Sequence, residues 1–194
     1  MQRTATYALG NIHSTSSLDA LKAVLSGSKD TRVREAAVQA IGSSGSSESR
    51  QFLRKVALTD QDDRVARMAI YAMGNSHEGT TEADANFYLD ILHNAKSPEV
   101  KKAALYQFAN ADRPSSVKTL ARFVKEEQDT DLRVAAIYVL GNSKNDEAVE
   151  VLLDIAKNDP LKKARTAAVS ALSNIGSKKA QDALLKILEG STKE

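Results

Sequence analysis

One short theme recurs six times along this chain at almost constant spacing. Arg3-Thr-Ala-Thr-Tyr-Ala-Leu-Gly10 returns as Arg34-Glu-Ala-Ala-Val-Gln-Ala-Ile-Gly42 and as Arg67-Met-Ala-Ile-Tyr-Ala-Met-Gly74. It returns again as Lys101-Lys-Ala-Ala-Leu-Tyr-Gln-Phe-Ala109, Arg133-Val-Ala-Ala-Ile-Tyr-Val-Leu-Gly141 and Arg165-Thr-Ala-Ala-Val-Ser-Ala-Leu-Ser173. The closing residues 10, 42, 74, 109, 141 and 173 serve as anchors, separated by 32, 32, 35, 32 and 32 residues. A fixed period in this range marks stacked repeats, each burying its apolar face only against its neighbours. The expected architecture is therefore an all-α, right-handed α-solenoid of about six helical hairpins of ~32 residues. It is expected to form a single domain over residues 1–194.

Counted back from each anchor, positions −1, −2, −4, −5 and −6 are nearly all apolar, as in Ile41, Ala40, Val38, Ala37 and Ala36. That spacing belongs to a helix with a broad buried face. Small alanines at −5 and −6 allow a neighbouring helix to approach closely. Asp30-Thr31, Asp129-Thr130, Ser97-Pro98 and Asp159-Pro160 supply start signals ahead of this first helix. Gly10, Gly42, Gly74 and Gly141, with Asn11, Asn75 and Asn142 beside three of them, read as left-handed stops. A second, leucine-rich helix follows, with stripes such as Leu18, Leu21, Val24 and Leu25, or Val149, Leu152, Leu153 and Ile155. Twelve helices are expected, with hairpin turns near 10–16, 42–47, 74–82, 109–114, 141–146 and 173–178. The chain opens on a first helix and closes after a second one with no dedicated cap, so a segment of a longer solenoid is expected.

The pattern Asp-x-x-(Val/Leu)-Arg-x-Ala-Ala-x-x-Ala-Leu-Gly resembles the HEAT-like repeats of the phycobilisome-lyase type. Asp30 to Gly42 and Asp129 to Gly141 match it best. The resemblance implies that Arg34 and Arg133 brace an inter-helix turn through an Asp such as Asp30, Asp62 or Asp129. The third repeat departs, with Ala66 at the arginine position and Arg67 one place later, and the fourth carries Lys101 and lacks the Gly. Repeats of this kind serve scaffolds, lyases, hydroxylases and DNA-repair enzymes alike, so the fold alone does not set the function.

Composition narrows the field. Cysteine is absent, which removes disulfides and thiolate chemistry. The formal net charge of +2 and the lack of Trp argue against nucleic acid as a partner. No run approaches the ~20 apolar residues of a membrane span. The resembled family includes an iron-dependent hydroxylase with His-Glu pairs at the start of the inner helix. Here the one such pair, His77-Glu78, falls in a turn, while His13 and His93 stand apart. No catalytic residue, metal or cofactor is expected, and the chain is expected not to be an enzyme. With no targeting segment visible, the compartment stays open, the cytoplasm slightly favoured.

One register suggests binding. Position −3, on the face opposite the alanines, is Tyr7, Tyr71, Tyr106 and Tyr138 in four repeats of six. Arg3, Arg67 and Lys102 stand one turn away at −7, and Arg32 and Arg64 at −10. Tyr and Arg are enriched at interface hot spots because each joins large contact area to directional hydrogen bonding. These nine residues are expected to line a concave groove of a non-catalytic scaffold that takes a protein or peptide. Tyrosine rings covering the seams between repeats are the competing reading. An accessory lyase-like or DNA-repair-like enzyme on the same scaffold, or an architectural spacer, are the alternatives. The longer turn after Gly74, from His77 to Phe87, is a further candidate for binding.

Overall fold

The computed structural model describes residues 1–12, 14–74, 82–109, 116–143 and 145–191, and everything below concerns those. They form twelve helices and no strand. Their contacts group into two compact units, residues 1–111 and residues 112–194. The first unit holds α1 (Gln2–Gly10), α2 (Thr15–Gly27), α3 (Thr31–Ser43), α4 (Ser47–Thr59), α5 (Asp63–Gly74), α6 (Glu82–Asn94) and α7 (Pro98–Ala109). The second holds α8 (Ser116–Glu126), α9 (Thr130–Asn142), α10 (Asp146–Asn158), α11 (Lys162–Ile175) and α12 (Lys178–Ser191). Helix pairs thus alternate as the period requires. Much of the expected turns at 74–82 and 109–114, with His13, Asn75 and His77-Glu78, lies outside the described residues.

Local chemistry sets the boundaries. Asp30 caps α3 by accepting from the Arg32 amide at 2.8 Å, and Asp129 caps α9 by accepting from Asp131 and Leu132 at 2.9 and 3.0 Å. Each cap satisfies amides that the first helical turn leaves without partners. Helix α11 starts at Lys162, two residues later than the Asp159-Pro160 motif suggests. Asp159 instead ends α10, and its side chain accepts from the Leu161 amide at 2.9 Å.

In the first unit α1, α3, α5 and α7 lie side by side in sequence order, with α2 and α4 each packed between successive members of that layer. In the second, α9 lies against α11, and α10 touches both. The predicted apolar positions make this core: Ala37, Val38 and Ile41, Ala69 and Ile70, Ala104 and Leu105, and Ala136, Ile137 and Leu140 are all essentially sealed from solvent. Burying a Leu or Ile side chain fully contributes about 1.5–3 kcal/mol. The packing is therefore a property of neighbouring repeats, not of any single hairpin.

The anchor glycines correct the sequence reading. Among the described residues only Gly45 and Gly176 have positive φ; Gly10, Gly42, Gly74 and Gly141 are helical. Their role is close approach. A Cβ on Gly10, Gly42 or Gly141 would stand 2.7, 2.6 or 2.6 Å from the Cβ of Ala40, Ala72 or Ala171 in the next repeat. At Gly74 it would meet the Gln107 side chain. The glycine lets the following helix sit against bare backbone, and a right-handed cap such as Asn11, Ser44 or Ser143 ends the helix.

The arginine braces also differ in their partners. Arg34 bonds Asp60, not Asp30 or Asp62, and its Nε donates to the Leu25 carbonyl at 3.3 Å. Arg133 bonds Asp159 in the same way. In both cases the carboxylate belongs to the residue that ends the following second helix, 26 positions downstream. Asp60 also accepts from the Asp62 amide at 2.9 Å, so one nearly buried side chain ties the turn and the arginine together. Asp30 and Asp129 are left as helix caps.

Candidate functional site

Within each unit the tyrosine register lies on the solvent-facing side of the first helices. Tyr7, Tyr106 and Tyr138 are 41, 39 and 40 % exposed, and Tyr71 is half-buried. Gln39 and Ser170, which replace tyrosine in two repeats, are exposed as well. Immediate neighbours such as Leu105, Ile137 and Val139 are buried, as a helix presenting only one stripe to water requires. Tyr7, Tyr106 and Tyr138 therefore keep part of their surface in water, and Tyr71 less.

Around them the register's charges behave differently from place to place. The Tyr7 hydroxyl donates to Gln39 Oε1 at 3.1 Å, joining α1 to α3. Arg64 Nε lies 3.2 Å from Glu35 Oε1, joining α5 to α3, and Arg67 Nη1 lies 3.3 Å from Glu99 Oε2, joining α5 to α7. Arg3 and Arg32 are exposed and line a shallow trough between α1 and α3 with Asp30, while Lys102 is half-buried.

Sequence reasoning missed the corresponding place in the second unit. There Asp131, Val134 and Tyr138 of α9 face Lys162, Lys163, Thr166 and Ala167 of α11 across an open groove of about 470 Å³. The α9 residues are the −10, −7 and −3 positions of the fifth repeat, and Lys163 and Thr166 are the −10 and −7 positions of the sixth. The signal was present: −7 is Val where the first four repeats have Arg3, Glu35, Arg67 and Lys102, and two adjacent lysines open α11.

A second missed cluster lies between α4 and α6. Asp84, fully buried, accepts from Arg50 Nη1 and Arg54 Nη2, both at 2.7 Å. Arg54 also lies over the Phe87 ring, 5.8 Å from its centre. Tyr88, the fifth tyrosine, is sealed beside them; burial, with the Asp84 carboxylate adding, pushes its hydroxyl well above its ordinary value. Asp84 and Arg50 are closed to solvent and Arg54 is only partly covered, and the cluster acts as a clamp between two outer helices. Among the described residues no group of three or more His, Asp or Glu is arranged to hold a metal ion, and the exposed His93 is bonded through Nδ1 to the Leu89 carbonyl at 2.8 Å.

A family model described as HEAT repeats matches residues 1–74, 85–173 and 125–194. The chain belongs to the HEAT-repeat family. No curated protein matches it in sequence. Among solved structures it is similar to human deoxyhypusine hydroxylase in complex with glycerol, at 20 % identity over 95 % of this chain and 72 % of that one, with a TM-score of 0.47. It is also similar, at 17 % identity over 94 % of this chain and 56 % of the other, to a de novo designed 16-helix transmembrane nanopore, with a TM-score of 0.19.

The first of these likenesses corrects two expectations, that of a non-catalytic scaffold and that of a chain that is not an enzyme. Deoxyhypusine hydroxylase is an enzyme with a HEAT-repeat fold, so possession of these repeats does not make a chain non-catalytic.

Proposed function

We propose that this HEAT-repeat chain works in an enzyme reaction on a polypeptide, as an accessory lyase-like component whose first-helix face holds that polypeptide. One observation carries the reading: at a single repeat position Tyr7, Tyr106 and Tyr138 each keep about two fifths of their surface in water. Large aromatic side chains left outside at a fixed structural period offer contact area that the chain itself does not use. Arg3, Arg32, Arg64, Arg67 and Lys102 flank the first unit's part of that register and supply donors for backbone carbonyls or acidic side chains. The near-balanced net charge of +2 favours a polypeptide over a nucleic acid.

A photo-reactive amino acid placed at position 39, exposed in the same register as the tyrosines, tests this. Cross-linked polypeptides are recovered from cell extract, and their masses are compared before and after incubation with the chain. Capture lost in the Tyr71→Ala/Tyr106→Ala variant, with a covalent mass change that requires the chain, is the expected result. Capture without any mass change removes the enzymatic part. Capture that the double variant leaves unaltered removes the tyrosine face.

A further inference from the structure

We infer that the groove between α9 and α11 takes an acidic polypeptide segment carrying an aromatic or aliphatic side chain. This rests on the reading of the first-helix face as a polypeptide-holding surface and names the chemistry of what one part of it holds.

The groove has an apolar wall and a basic rim. Tyr138, 40 % exposed, and half-buried Val134 form the wall on α9, and Ala167 continues it on α11. Lys162 and Lys163 stand at the opposite rim, both exposed. Among the described residues neither side chain makes an ion pair or hydrogen bond, whereas Lys179, on the neighbouring helix, is held by Glu150 at 2.8 Å. The one carboxylate in the groove is Asp131, whose side chain is unpaired too, so two cations face one anion.

The trough exists because the sixth repeat is small where the others are large. Ser170 stands where tyrosine would, and its hydroxyl turns back to the Thr166 carbonyl at 3.2 Å. Thr166 stands where the first four repeats have Arg, Glu, Arg and Lys. Nothing on α11 therefore reaches across to Tyr138. An apolar side chain can lie on the Tyr138 ring while flanking carboxylates meet the lysines. An excess of unpaired positive charge at the rim selects an acidic segment over a basic one, chiefly by steering encounter and by rejecting like charge.

The test uses the intact chain and three fluorescein-labelled probes: a peptide of alternating Glu and Phe, its counterpart of alternating Lys and Phe, and a single-stranded oligonucleotide. Fluorescence anisotropy should show the acidic peptide binding at least about tenfold more tightly than the basic one, and more weakly as salt is raised. Lys162→Glu/Lys163→Glu should remove that preference by about tenfold, and Tyr138→Ala should weaken the acidic peptide while leaving its preference over the basic one. The lysines are exposed, and acidic residues in a first helical turn are well tolerated, so the double variant keeps its fold. Equal binding of the two peptides, or acidic binding that survives both variants, overturns the inference. So does an oligonucleotide that binds more tightly than the acidic peptide and displaces it. If photo-capture at position 39 persists while the acidic peptide fails, only this inference falls; if capture fails while the acidic peptide binds, the fault lies with the broader reading.

Discussion

In residues 1–111 a side-chain pair crosses each successive joint of the first-helix layer: Tyr7 with Gln39, Glu35 with Arg64, and Arg67 with Glu99. Among the described residues of 112–194 the equivalent joint, α9 against α11, has no such pair, and Tyr138, Lys162 and Lys163 look into open space. The backbone repeat is the same in both. What differs is side-chain length at two register positions, −3 and −7, where Ser170, Thr166 and Val134 replace longer polar groups. Exposed pairs of this kind contribute only about 0–1 kcal/mol each, so their presence shapes the surface far more than the stability. A repeat protein can thus close or open its face by changing residues that its core does not feel.

The largest test of the contrast lies beneath the surface of the first unit. Asp84→Ala leaves Arg50 and Arg54 facing each other without their shared carboxylate, and should destabilise by about 3 kcal/mol. Denaturant unfolding measures the loss. Hydrogen exchange should show α4 and α6 losing protection while α9 and α11 keep theirs. A loss under about 1 kcal/mol would mean that water reaches the arginines.

The close joints between repeats should be nearly as sensitive, and equally so in both units. Gly42→Ala and Gly141→Ala each drive a methyl group into the next helix at Ala72 or Ala171, which should cost about 2 kcal/mol despite alanine's better helix propensity. If thermal melts show either variant to be stabilised, the approach is looser than 2.6 Å and the glycines have another purpose.

The braces give a smaller effect and a sharper comparison. A double-mutant cycle on Arg34 and Asp60, and one on Arg133 and Asp159, should each show a coupling of about 1 kcal/mol. The same cycle on Arg34 and Asp30 should be additive. Coupling to Asp30 instead would restore the assignment that the sequence suggested.

Replacing the exposed tyrosines tests surface against seam. Tyr106→Ala and Tyr138→Ala should each change stability by no more than about 0.5 kcal/mol. A marked fall in melting temperature would place those rings in the packing between repeats.

Least of all, Thr31→Val should move one titration. The Thr31 hydroxyl, ahead of the Arg64 amide, holds Asp62 below the usual carboxylate range. A depressed carboxylate contributes stability that is present above its unfolded pKa and lost as pH falls through the folded one. Removing the hydroxyl should raise the Asp62 midpoint and shift that loss to higher pH, as carboxylate chemical shifts in NMR would show. An unmoved midpoint would assign the depression to the Arg64 amide.

The helices were legible because their signal is local. Ala36, Ala37, Val38 and Ile41 repeat at helical spacing, and burial follows from that period whatever the neighbours are. The tyrosine register was legible for the same reason, since helical geometry alone puts −3 opposite the alanines. The start of α11 was misjudged because Asp159 has two claims on it, as a cap for a following helix and as a partner for Arg133, and the sequence does not rank them. The groove beside Tyr138 escaped notice because it consists of what is small or missing, and a register read one repeat at a time does not display a gap between two.

By itself the sequence determined the HEAT-repeat family, the twelve helices and the faces they bury, because periodicity within a helix and between repeats is a one-dimensional property. Only the tertiary structure decided which partners meet. Arg34 reaches Asp60 and not Asp30, Arg50 and Arg54 converge on Asp84, and the glycines serve approach and not turning. Each of these contacts joins groups about one repeat apart, and their energies depend on distance and burial that no spacing along the chain specifies.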